Sequence, residues 1–355
     1  MSITDLETLG WSPFFASAFK LFSKSGYSVG RVYEAHKNFY RLLTENGDLQ
    51  AKISGKMRHE SVVGGDFPTV GDWVVIQVRN EEGEATIQAV LPRFSKFSRK
   101  VAGGVTREQV LAANVDTAFL VSALNNDFNV RRMERYFAVA MESGANPVVV
   151  LNKDDLFSDD VIEAKIAEAK KSASDVPIFA VSALTGHGMQ DLAGYIPKGK
   201  TAVFLGSSGV GKSALINALL GRYTQKTNTV REGDDKGRHT TSFQKLIILP
   251  DKGMVIDTPG LRELQLWDIE GGLGGAFKDI EDIGAGCKFR DCLHESEPGC
   301  AVRKAISQGT VDASRLENYL KLQQEIAYTA DRKEFLAKKN ERERHISKIA
   351  KKMRH

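Results

Sequence analysis

Between about 30 and 97 the chain alternates apolar and polar positions in short runs. "GRVYEAH", "NFYRLLTENGDLQAKISGKM", "VGDWVVIQVRN" and "EATIQAVLPR" read as strands, with "ENGD" and "NEEGE" as turns. Strand signals this dense predict a small barrel, of the five-stranded OB type. Ahead of it, residues 1–30 have mixed patterning, with a short helix expected around "SPFFASAFKLF".

From 115 the rhythm changes. "DTAFLVSAL", "NPVVVLNKDDL", "VPIFAVSAL", "TAVFLG", "FQKLIILP" and "GMVIDTPG" each carry a compact apolar run, and helical patterns lie over 131–143, 158–172 and 212–220. That alternation predicts a mostly parallel sheet covered by helices on both faces. Beyond 270 come a Gly-rich connector, "EGGLGGAF", a cysteine cluster and charge-rich helical sequence. The expected architecture is multidomain α/β: an extension over 1–30, the barrel over 31–100, the α/β domain over 101–270 and a helical metal-binding domain over 271–355.

Composition narrows the class. Of 355 residues 42% are apolar and 26% charged, ordinary for a globular protein. No run reaches the ~18 apolar residues of a membrane helix. The first residues, "MSITDLETLGWSPFF", lack a basic stretch followed by an apolar core, so a cytoplasmic protein is expected. The formal charge is +4, but 331–355 holds ten Lys and Arg against four acids, which leaves −2 for the rest. A basic end of that kind suits an anionic partner, nucleic acid first.

Gly206-Ser207-Ser208-Gly209-Val210-Gly211-Lys212-Ser213 fits the G-x-x-x-x-G-K-[ST] pattern, and it lies between the strand "TAVFL" and the helix "SALINALLG". Glycines let the backbone wrap phosphates with its N–H groups inward, and the helix start favours anions. Lys212 is then the residue for the β- and γ-phosphates and Ser213 a Mg²⁺ ligand. Asp257-Thr258-Pro259-Gly260 follows the strand "GMVI". Its carboxylate suits Mg²⁺ through water, and the Gly260 N–H suits the γ-phosphate. In "GRHTTS" either Thr240 or Thr241 would complete the metal shell.

Asn152-Lys153-Asp154-Asp155 follows the strand "PVVVL" and has the N-K-x-D form that suits guanine. Asp155 can accept from guanine N1–H and the 2-amino group, an arrangement adenine does not offer. Ser182 and Ala183 end the next strand, where the Ala183 N–H could meet guanine O6. All the parts of a GTP-binding protein are present, but the base readers precede the phosphate loop. A compact domain with neighbouring termini tolerates such circular permutation, because each strand keeps its place in the sheet. The cut leaves the segment after "DTPG" leading straight to the cysteines.

Cys287, Cys292 and Cys300 lie within fourteen residues. An odd, tight cluster argues against a disulfide framework and towards a metal. With His294 they form C-x₄-C-x-H-x₅-C, a closed donor set for one structural Zn²⁺.

A barrel, then "NKDD", "SAL", "GSSGVGKS", "GRHTT" and "DTPG" in that order, then a Cys/His cluster, resemble the RsgA (YjeQ) family over nearly the whole chain. The resemblance implies a small-ribosomal-subunit-dependent GTPase that acts in late maturation of that subunit and helps release an assembly factor. It also implies zinc at Cys287, Cys292, His294 and Cys300, which match the family's module at all four positions.

Many GTPases place Gln after D-x-x-G to hold the attacking water; here it is Leu261, so slow intrinsic hydrolysis is expected. His239 is the best replacement if a partner folds its loop inward. For RNA, the barrel offers Lys37, Arg41, Lys52, Lys56 and Arg58 interleaved with Phe39 and Tyr40. "PRFSKFSRK" at 92–100 and the tail cations Lys338, Lys339, Lys348, Lys351, Lys352 and Arg354 extend the set. The expected partners are GTP or GDP, the small subunit with its rRNA, and an assembly factor, with the protein a monomer. A rival reading keeps the switch but recruits a protein partner through the zinc module and touches no RNA. A metabolic enzyme would need a second catalytic cluster, and the sequence offers none outside the nucleotide and metal motifs.

Overall fold

The computed structural model describes residues 5–22, 26–60, 67–79, 83–101, 107–125, 127–172, 176–221, 244–257 and 272–327. Alternating patterning in the first third becomes strands β1 (Ser28–Ala35), β2 (Tyr40–Thr44), β3 (Gly47–Ile53), β4 (Trp73–Arg79) and β5 (Glu84–Val90). They pair in the order β1-β2-β3-β5-β4, and β4 returns to β1, which closes the barrel. All pairs are antiparallel except β3 with β5. Inward positions Val32, Leu42, Ala51, Val74, Ile76 and Ile87 fill the interior, and Met57 on α2 (Gly55–Glu60) joins them. The expected "ENGD" turn is a two-residue loop, with Thr44 paired to Gly47. Gly47 has φ 108, a backbone region that favours glycine.

The segment before the barrel folds onto it. In α1 (Pro13–Phe19) Phe15 is 1% exposed, and Trp11 and Phe15 lie 4.8 and 5.9 Å from Trp73 by ring centroids. Beneath this aromatic layer Arg31 is buried where three regions meet. Its guanidinium donates to the Leu9 carbonyl, to Thr201 Oγ1 at 2.7 Å and to the Asn114 carbonyl at 3.3 Å. Burial draws its pKa down to about 10, against the opposing pull of Asp116 and Asp72.

Two strands, β6 (Lys96–Val101) and β7 (Arg107–Ala113), form a separate antiparallel hairpin after the barrel. Next comes the α/β sheet, in the order β10-β9-β8-β11-β13-β12. Its strands are β8 (Thr117–Ala123), β9 (Asn146–Asn152), β10 (Ile178–Val181), β11 (Thr201–Leu205), β12 (Gln244–Ile248) and β13 (Met254–Asp257). All run parallel except β12. Helices α5 (Met189–Gly194) and α6 (Lys212–Leu219) pack on one face, and α3 (Val130–Ser143) and α4 (Asp159–Lys170) on the other. Edge strand β12 also pairs with β1, so barrel and α/β sheet form one eleven-stranded surface. Lys245 on β12 binds Glu34 on β1 at 2.8 Å.

The C-terminal part begins with α7 (Gly272–Ala276) and α8 (Lys278–Gly284), followed by α9 (Ala301–Ser307) and a helix α10 over 313–327. Arg315 on α10, its side chain 9% exposed, donates to Glu134 on α3 at 2.5 Å and to both Asp279 oxygens on α8 at 2.8 and 2.9 Å. The guanidinium locks the module against α3, since removing it would leave the buried Glu134 carboxylate without its charge partner. No helix among the described residues is long and apolar enough to cross a membrane.

Candidate nucleotide and metal sites

Neighbouring strands deliver the nucleotide residues to one end of the sheet. Strand β11 lies between β8 and β13, and β9 lies beside β8, so loops distant in sequence meet where these parallel strands end. Sequence order is therefore irrelevant to the pocket, because strand neighbours are preserved.

Residues 206–211 form the phosphate loop between β11 and α6. Gly206 has no room for a side chain: a Cβ there would sit 2.4 Å from the Val121 carbonyl oxygen. A Cβ at Gly211, whose φ is 100, would meet Asn152 Nδ2 at 2.2 Å. Lys212 Nζ donates to the carbonyls of Gly206 and Ser207 at 2.5 Å each. Ser208 and Gly209 are exposed, Val210 is buried, and Ser213 stands in the first turn of α6. Asp257 ends β13, the strand next to β11.

The residues expected to read the base differ in burial and in partners. Asn152 is 2% exposed and works as a keystone. Its Nδ2 donates to the Val210 carbonyl at 2.8 Å, and its Oδ1 accepts the Ala183 N–H at 3.2 Å. The Ala183 N–H expected to face guanine O6 is thus bonded to Asn152 here. Lys153, at φ 70, donates to the Gly209 carbonyl at 3.0 Å, which places the base loop against the phosphate loop. Ser182 is fully buried, and its Oγ accepts the N–H groups of Leu184 and Thr185, which shapes the second loop. Asp155 is exposed, whereas Asp154 is buried and bonded to His187. His239, Thr240, Thr241, Gly260 and Leu261 lie outside the described residues, as do the tail cations.

Sequence reasoning passed over Asp127, Arg132 and His187. Ser207 Oγ donates to Asp127 Oδ2 at 2.7 Å, and Arg132 Nη1 donates to Asp127 Oδ1 at 2.6 Å. Asn129 caps α3 by accepting the Arg132 N–H at 3.0 Å, which sets that arginine beside the loop. An acid on the loop that ends β8 was visible in "LNNDFN". Its significance needed the knowledge that β8 adjoins the phosphate-loop strand.

Cys287, Cys292, His294 and Cys300 bring their ligand atoms within 4.8 Å of one another. Cys287 and Cys300 sulfurs are 3.9 Å apart, and His294 Nδ1 is 3.6 and 3.4 Å from them. The Ala301 N–H donates to Cys287 and the Arg303 N–H to Cys300. Burial works to raise the Cys287 thiol, but the N–H groups of Ala301 and Val302 together with the Cys292 and Cys300 thiols hold its pKa below the usual value. Three sulfurs and an imidazole at these separations fit a tetrahedral metal, whose ~2.3 Å bonds to sulfur put ligand atoms roughly 3.6–3.8 Å apart.

On the barrel Lys37, Lys52, Lys56 and Arg58 are exposed. Arg41 pairs with Asp48, and Phe39 stacks on His36 at 4.3 Å. Arg93, expected among the RNA contacts, is instead held by both oxygens of the buried Asp72 at 2.7 and 2.6 Å, a structural pairing.

Comparison with known proteins matches these features. A family model described as RsgA GTPase covers residues 90–267, and the RsgA N-terminal domain covers 29–87. A model described as 50S ribosome-binding GTPase covers 201–337; it begins at β11, where the permuted order resumes the conventional one. The small ribosomal subunit biogenesis GTPase RsgA of Opitutus terrae is 45% identical over 348 residues, 96% of this chain and 94% of that protein. RsgA 2 of Lactiplantibacillus plantarum is 44% identical over 87% of this chain and 86% of its own. Among solved structures, YjeQ from Thermotoga maritima superposes with a TM-score of 0.63 at 27% identity, over 84% of this chain and 98% of that one. YloQ, described as a circularly permuted GTPase, gives 0.62 at 25% identity, over 87% and 96%. With the permuted pocket in place and relatives this similar along nearly the full length, the chain belongs to the RsgA GTPase family and is a GTP hydrolase.

Proposed function

We propose that this GTPase acts in maturation of the small ribosomal subunit, binds rRNA, hydrolyses GTP slowly alone and is accelerated by the subunit. One observation carries the reading. Asn152 and Lys153 tie the base loop to the phosphate loop, so guanine selection and phosphate binding share one pocket, on a sheet continuous with a barrel that exposes Lys37, Lys52, Lys56 and Arg58.

In this reading Asp155 accepts from guanine N1–H and the 2-amino group. Backbone N–H groups of 206–213 bind the triphosphate. Lys212 leaves the Gly206 and Ser207 carbonyls for the β- and γ-phosphate oxygens. Mg²⁺ supplies charge neutralisation at those oxygens when bound. Ser213, Asp257 through water and one of Thr240 and Thr241 offer it the hard oxygens it prefers. Leu261 cannot hold the attacking water, and His239 takes that role when the subunit is engaged. Zn²⁺ is the metal of the Cys287, Cys292, His294 and Cys300 set, and four protein ligands leave it no open position, so its role is structural.

The GTP form docks, hydrolysis permits departure, and release of an assembly factor accompanies that step; the protein works as a monomer. Exposed barrel cations contact rRNA phosphates, so co-sedimentation with small subunits falls steeply with salt. The deciding experiment is the GTPase rate of purified protein with and without small subunits. Marked acceleration is expected. A fast rate that subunits leave unchanged would sink the proposal.

A further inference from the structure

Asp154 is the residue of "NKDD" that guanine reading leaves without a task. Its carboxylate is 5% exposed, and Oδ2 lies 2.5 Å from Nδ1 of His187, whose own side chain is 71% exposed. A carboxylate oxygen only accepts, so Nδ1 carries the proton and donates it into this bond. Without the imidazole the buried carboxylate would lose its charge-assisted partner, and it would have to turn towards water.

The geometry makes that bond consequential. Asp154 opens the 3₁₀ turn Asp154–Leu156, so its orientation governs the adjacent Asp155. His187 is anchored on the opposite loop: its carbonyl accepts the Ser182 N–H at 3.1 Å, and the Gly186 N–H donates to the Ser182 carbonyl at 2.9 Å. Behind it, Gly188 has φ 68, and a Cβ there would press to 2.7 Å from the Ala180 carbonyl oxygen. The histidine therefore hangs from a loop with little freedom. Asn152–Ala183 is the inner brace between the two base loops, and Asp154–His187 is a second, outer one.

From this we infer that His187 is a positioning residue for guanine specificity. Acting through Asp154, it sets the Asp155 carboxylate against the loop that follows β10, the two walls that meet the edge of the base. This rests on the reading of Asp155 as the guanine acceptor. The phosphate end is unaffected, because Lys212 and Ser207 have their own partners, the loop carbonyls and Asp127.

The test is displacement of fluorescently labelled GDP from the full-length protein by GDP, IDP and ADP; hypoxanthine in IDP lacks the 2-amino group that Asp155 binds. His187→Ala should cut the preference for GDP over IDP by about tenfold, the effect of one charge-assisted hydrogen bond. kcat at saturating GTP should stay near wild type. His187→Asn, whose amide N–H sits where Nδ1 does, should restore most of the preference. Asp154→Ala should match His187→Ala, and the double variant should be no worse than either. An exposed ring leaves no core cavity on removal, so loss of folding does not confuse the result. An unchanged GDP-to-IDP ratio in His187→Ala would overturn the inference alone. So would equal weakening of all three nucleotides that His187→Asn fails to rescue. A wild-type protein that binds ADP as well as GDP would overturn the guanine reading itself.

Discussion

At the phosphate end of the pocket eight consecutive residues, 206–213, supply the loop, the lysine and the helix start, and glycine is forced at Gly206 and Gly211 by backbone and side chain behind them. At the base end no contiguous stretch does the work. Loops 152–155 and 182–188 hold their spacing through side chains that cross between them, Asn152 to Ala183 and Asp154 to His187. The phosphate end is thus one contiguous stretch of sequence, shaped by Val121 and Asn152 behind it, whereas the base end is assembled only by the sheet. Circular permutation exploits that contrast. The contiguous motif travels intact to a new place in the sequence, while the braced loops need only that β9, β10 and β11 keep their lanes.

If each end carries its own chemistry, substitutions that leave the Asn152 and Lys153 ties intact should affect one end at a time. Lys212→Ala should produce the largest loss, about a hundredfold to a thousandfold in kcat, the range for removal of a preorganised charge donor. The preference for guanine in a GDP–ADP competition should survive it. Asp155→Asn should do the reverse. Its amide N–H would face guanine N1–H, GTP affinity should fall about a hundredfold, and xanthine nucleotides should gain. Steady-state kinetics with GTP and XTP separate the two variants. Ser207→Ala removes the hydroxyl that donates to Asp127 but leaves the Arg132 pairing, so KM for GTP should rise only about fivefold with base preference unchanged. Smallest of all is the effect of stripping the metal. A strong chelator should strip the metal held by Cys287, Cys292, His294 and Cys300, read by elemental analysis, and open the segment around 287–300 to protease. The affinity for GDP should barely move, because neither pocket end draws a residue from that module.

Legibility in the sequence followed the same division. Strands with compact apolar runs, such as "TAFLVSA" and "TAVFL", were placed from pattern alone, and barrel strands from alternation. The hairpin of β6 and β7 was not, since "PRFSKFSRK" reads as a basic surface stretch until its partner Arg107–Ala113 is known. Packing of the first residues was equally hidden, because Trp11 and Phe15 find Trp73 some sixty residues away in sequence. Nothing in the strand run "GRVYEAH" signals that Arg31 is the buried link between three regions. Among the described residues, Asn152, Ala183, Gly206 and Lys212 stand in recognisable motifs and meet at one end of the sheet, whereas Asp127, Arg132 and His187 belong to no motif. Asp127 and His187 act on loops distant in sequence, and Arg132 on α3 acts through Asp127, so none carries a spacing signal.

The account stands on one pocket that reads guanine and triphosphate together, and competition for labelled GDP by GTP, ATP and XTP at equilibrium tests it most directly. GTP should displace the label at least a hundredfold more effectively than ATP, a gap of about 3 kcal/mol, and Asp155→Asn should shift preference towards XTP. Displacement by ATP at the same concentration as GTP, with Asp155→Asn indistinguishable from wild type, would contradict it.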